Sequence, residues 1–94
     1  MVTVKPGQWV TSTAGRDQGT HYLVIAVENE RTLYVADGLR RSVASPKRKN
    51  VRHVWVHDAV HEGLASQLRA GKKLQDSDVR TALMELMRKE EEVG

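Results

Sequence analysis

The chain has 94 residues, no cysteine and a net charge of +3, so there is room for one core and no means of building a disulfide framework, a thiolate metal site or a thiol nucleophile. No stretch approaches the roughly 20 apolar residues that span a bilayer, and Met1-Val2-Thr3-Val4-Lys5-Pro6-Gly7 lacks the apolar run of a signal peptide, so a cytoplasmic protein with no membrane partner is expected. Charge is unevenly spread: residues 1–57 hold nine Lys or Arg against four acids, and residues 58–94 hold six against eight, a bias suited to a polyanionic partner.

In chain order, residues 8–13 read as a first strand and Gly15 to Gly19 as a turn. Residues 22–28 follow as a second strand, in which Tyr22, Val24 and Ala26 alternate with Leu23, Ile25 and Val27. Both sets are apolar, which predicts a strand buried on both faces or central to a closed sheet. Asn29-Glu30 supplies a short polar hairpin link to a third strand at 32–37, and Asp37-Gly38 supplies the next turn. From Gly38 to His57 there are six Lys or Arg and no acid, and the segment around Ser45-Pro46-Lys47-Arg48-Lys49 is expected to be a basic inter-strand loop before a last strand at 52–57. Short strands at this spacing predict a small barrel, because closing the sheet removes its exposed edges.

Beyond His57 the period changes. Val60, Leu64 and Leu68 recur every four residues and Gly71 stands where a helix C-cap falls, predicting a short helix. A second helix starts at Asp76-Ser77-Asp78, whose side-chain oxygens suit free amides, and carries Val79, Leu83, Leu86 and Met87 on one face. Glu90-Glu91-Glu92 at the negative end of its dipole is expected to be solvated and frayed. Among the aromatic residues, Trp9, Tyr22 and Tyr34 are expected in the core. Trp55 is the exception, able to stack an unpaired base beside the basic segment.

Read together, Gly7-Gln8-Trp9-Val10, Gly15-Arg16-Asp17-Gln18-Gly19 and Tyr22-Leu23-Val24-Ile25-Ala26-Val27 resemble the KOW motif of ribosomal proteins and NusG-type factors. Ala36-Asp37-Gly38, followed by Ser45-Pro46-Lys47-Arg48-Lys49-Asn50-Val51-Arg52-His53-Val54, is similar to the KOW-bearing large-subunit ribosomal proteins of archaea and eukaryotes and to small bacterial RNA-binding proteins. The resemblance implies a mainly β fold: a small SH3-like (KOW) β-barrel over residues 1–57 and a C-terminal two-helix tail over 58–94 that packs on it. It also implies RNA contacts from inter-strand loops, carried over to Arg16, Lys47, Arg48, Lys49 and Asn50. Arg40, Arg41 and Arg52 add charge to that set, and Trp55 adds a stacking surface. The sequence departs from the family at Thr20-His21, where related ribosomal proteins often have a basic residue, and in the helical tail, which the minimal module lacks.

The function expected is non-enzymatic binding of structured RNA, ribosomal RNA or the ribosome itself. The alternative is a KOW-type protein-interaction module of the transcription or translation machinery, with a protein partner docking on the amphipathic tail. Duplex DNA ranks lower, because no helix combines Arg-rich sequence with a recognition face. No Ser-His-Asp spacing, P-loop or isolated pair of acids supports an enzyme. His57-Asp58-Ala59-Val60-His61 mimics the zinc-protease pattern with Asp in place of Glu, but His57 is expected to end a strand and no third ligand follows, so neither metal nor cofactor is expected.

Overall fold

The computed structural model describes residues 3–93. Five strands, β1 (Gln8–Ser12), β2 (His21–Val27), β3 (Thr32–Ala36), β4 (Lys47–Asn50) and β5 (Val54–Val60), form one antiparallel sheet in the order β4-β3-β2-β1-β5. A 3-10 turn, Val51–His53, joins β4 to β5, and two helices follow, α1 (Glu62–Arg69) and α2 (Asp76–Val93). No helix among the described residues is long and apolar enough to cross a membrane.

Both faces of the sheet are apolar, and both are covered. Val10, Tyr22, Val24, Leu33 and Val35 form one buried cluster, with Val4, Val51, Val54 and Val56 packed against it. Trp9 and Leu23, one residue out of phase on the same strands, point the other way and meet Leu64, Leu74, Val79, Ala82, Leu83 and Leu86 beneath the helices. This is why β2 is apolar in both registers. The double burial holds from Tyr22 to Val24 and ends after the register shift between Val24 and Ala26, beyond which Ala26 and Val27 are exposed.

Two expectations are corrected. The basic segment 38–52 is not all loop, because Lys47–Asn50 is strand β4, with Lys49 opposite Leu33 and Lys47 opposite Val35. Lys-Arg-Lys-Asn has little strand propensity of its own, and the free edge of β3 supplies the hydrogen-bond ladder that orders it. The last strand begins at Val54, not Arg52, and continues to Val60, so the boundary drawn at residue 57 falls inside a strand. Val60 is therefore the end of β5, and α1 buries Leu64 and Ala65 instead.

The helical tail does pack on the sheet, and the β3–β4 loop fastens it. Asp76 Oδ1 accepts the Val43 amide proton at 2.8 Å, and Arg80 donates to the Gly38 carbonyl at 2.7 Å. Of the expected cap, Asp78 reaches back to the Gln75 amide at 2.9 Å, while Asp76 is turned to the loop. Glu90, Glu91 and Glu92 are exposed as expected, yet helical. Gly38 has φ +78°, and a Cβ there would overlap the Asp76 carbonyl oxygen. Gly38→Ala is expected to cost about 2 kcal/mol from left-handed strain and displacement of the first turn of α2, read as a lowered urea midpoint.

Candidate nucleic-acid interface

The β1–β2 loop, residues 13–20, is organised by one carboxylate. Asp17 Oδ1 accepts from Ser12 Oγ at 2.8 Å and Lys49 Nζ at 2.9 Å, while Oδ2 accepts from Tyr22 Oη at 2.7 Å and Lys47 Nζ at 3.0 Å. Lys49 also donates to the Ala14 carbonyl at 3.2 Å. Burial by itself raises the Asp17 pKa, but the bonds from Tyr22, Lys49, Lys47 and Ser12 outweigh it and hold the carboxyl well below the usual carboxylate range. Burial, with the Asp17 hydrogen bond and charge adding to it, pushes the Tyr22 phenol up.

Three of the expected RNA contacts, Lys47, Lys49 and Asn50, have partners within the protein. Lys47 and Lys49 lie on the inward face of β4, and Lys49 is 7% exposed, so their ammonium groups pin the β1–β2 loop to the sheet edge. Asn50 accepts the Arg52 amide proton at 2.9 Å and caps the 3-10 turn. Arg48, on the outward face, is exposed and reaches Glu28 at 3.4 Å.

The remaining candidates are Arg16, Arg40, Arg41, Arg52 and Trp55. The four arginines are exposed and form no ion pair among the described residues. Antiparallel pairing brings the β1–β2 loop, carrying Arg16, and the β3–β4 loop, carrying Arg40 and Arg41, to the same end of the sheet. Asp37 Oδ1 braces the second loop by accepting the Leu39 and Arg41 amide protons, each at 2.9 Å. The Thr13 amide donates to the His53 carbonyl at 2.9 Å, tying the 3-10 turn with Arg52 to the first loop.

Trp55 lies on β5 opposite Thr11 and is 58% exposed. Its indole leans on His57 at 4.1 Å between ring centroids, and His57 stacks flat on buried Trp9 at 3.6 Å. A hydrogen bond beneath these rings determines the His21 tautomer. Trp9 Nε1–H can only donate, and it does so to His21 Nδ1 at 3.1 Å, so that nitrogen carries no proton. The Thr11 hydroxyl lies 2.9 Å from the same nitrogen and 2.7 Å from His57 Nε2, linking the two rings. Burial, opposed by the nearby Glu90 charge, pushes the His57 pKa below its ordinary value. Trp55 thus rests on His57, which is itself stacked on buried Trp9.

His21, Thr11 and His57 were not among the expected site residues. Period two places Trp55 and His57 on one strand face, but their meeting with Thr11 and His21 depends on which strands pair. His57 and His61 do not share a helix face, for His57 is in β5 and His61 caps α1, accepting the Leu64 amide proton at 3.1 Å while its Nε2 meets Glu85 at 2.9 Å. No cluster of three or more potential metal ligands occurs among the described residues. No protein-family model matches the sequence, and no curated protein matches it.

Proposed function

We propose that the protein is a cytoplasmic, non-enzymatic RNA-binding module of KOW type, its sheet an SH3-like barrel, and that it engages structured RNA, ribosomal RNA in particular. One observation carries the reading: four unpaired arginines, Arg16, Arg40, Arg41 and Arg52, stand exposed in loops and turns, and Trp55, three residues after Arg52, is largely exposed on β5. Guanidinium groups not taken up by carboxylates release counterions when they meet phosphates, and a braced indole offers a stacking surface to any unpaired base. The barrel assignment is supported by the strand order, the separate core on the inner face, and the 3-10 turn between β4 and β5. In this mechanism Lys47 and Lys49 shape the β1–β2 loop, the arginines capture backbone, and Trp55 holds one base.

The test is a salt titration with single-stranded ribosomal RNA fragments, followed by fluorescence anisotropy. With four phosphates engaged, log affinity is expected to fall against log salt with a slope of about −3, and each of Arg16→Ala, Arg40→Ala, Arg41→Ala and Arg52→Ala should flatten it by about 0.7. A flat response in the wild type would overturn the reading and leave the protein-interaction module as its replacement.

A further inference from the structure

Next to Trp55 the helical tail brings carboxylates to the surface, with Lys89 at one margin. A cleft of about 310 Å³ runs from Trp55 and His57 to the last turns of α2, where Met87, Glu90 and Glu91 line it. An adjoining cleft of about 550 Å³ also contains Trp55, His57 and Glu90, with Asp58 and Lys89 as its other charged residues. Neither Glu90 nor Glu91 forms an ion pair among the described residues, and the Glu90 charge is felt at His57.

The carboxylates decide what can occupy the cleft. They repel phosphate, so a base stacked on the indole turns its edge, and not its backbone, towards α2. A carboxylate offers only acceptors, and it therefore favours a base whose exposed edge offers donors. Guanine presents two adjacent donors, N1–H and the N2 amino group, which match the two oxygens of one carboxylate. Adenine and cytosine present one amino group beside an unprotonated ring nitrogen, and uracil presents one N–H between two carbonyls.

We propose that the cleft beside Trp55 selects an unpaired guanine in the bound RNA, stacked on the indole with its N1–H and N2 amino group donating to Glu90. The inference rests on the RNA-binding reading above and adds base selectivity to it. Glu91 supplies further negative charge at the rim. Glu90 is a specificity-determining residue, whereas Trp55 contributes affinity for any base.

The experiment measures binding of short oligouridines that carry one central guanine, inosine, adenine or cytosine. The guanine strand is expected to bind about tenfold more tightly than the inosine strand, which lacks only the N2 amino group. Glu90→Gln should abolish that difference while affinity for plain oligouridine is retained or rises, and because Glu90 is exposed on a helix the variant remains folded. Equal affinity for all four strands, or a guanine preference that survives Glu90→Gln, would overturn the proposal and leave RNA binding standing. If the protein bound an arginine-rich peptide through this cleft and no RNA, both readings would fall.

Discussion

Asp17→Asn is expected to destabilise the protein by about 3–5 kcal/mol, the range for removing one partner of a buried ion pair. Asp17 and Lys49 have side chains only 12% and 8% exposed, and Lys47 shares the same carboxylate. The substitution leaves two ammonium groups facing each other across a neutral amide, and Lys49 is too buried to be fully solvated in its place. Adding Lys49→Met to Asp17→Asn should recover part of the loss, because an apolar side chain has no charge to leave unpaired. Urea unfolding of the two single variants and the double variant measures the coupling. Lys49→Met in a folded protein should leave RNA affinity unchanged; a loss of affinity there would show that Lys49 does reach phosphate.

The same cluster sets the response to acid. The folded-state pKa of Asp17 lies below its ordinary 3.8, so the folded state holds this carboxylate ionised more strongly than the unfolded chain does. The stabilisation is complete above the unfolded pKa and is lost as pH falls through the lower, folded value. The urea midpoint of the wild type should therefore drop below about pH 4, and that of Asp17→Asn should drop less. Parallel acid curves for the two proteins would show that other carboxylates govern the transition.

Trp55→Ala is expected to weaken binding of single-stranded RNA by about tenfold to a hundredfold, the loss of one base stacked on an aromatic ring. Stability should change little, because the indole is 58% exposed and covers no part of either buried cluster. Trp55→Phe retains an aromatic face and should keep most of the affinity. It also supplies a spectroscopic control: RNA should quench the fluorescence of the wild type and not that of Trp55→Phe, whose remaining Trp9 is 4% exposed. Unchanged affinity in Trp55→Ala would remove the base-stacking role and leave only the arginines.

The first three strands were legible because Val, Ile, Tyr and Leu stand between clear turn residues, and the register then follows from which side chains must be buried. The helices were legible from their four-residue spacing. β4 was not, since a run of basic residues looks the same in a loop and on an edge strand until the neighbouring edge is known. β5 ran past its expected end because Asp58 and Ala59 carry little strand preference and are drawn in by pairing with β1 near Gln8.

The division in the candidate site has the same cause. From sequence alone, Arg16, Arg40, Arg41, Lys47, Arg48, Lys49 and Arg52 form a single class of cations, and the asymmetry of charge towards the first 57 residues is already a property of composition. What composition determined is how much positive charge the chain carries and that its strands have two apolar registers to bury. Only the tertiary structure decided which cations remain free, because neutralisation depends on distance in space: Asp17, more than 28 positions away in the chain, takes Lys47 and Lys49, and no acid reaches the four exposed arginines among the described residues. The same holds for Trp55, whose ring rests on His57, itself stacked on Trp9, and is given a charged rim by a helix that starts more than 20 residues later.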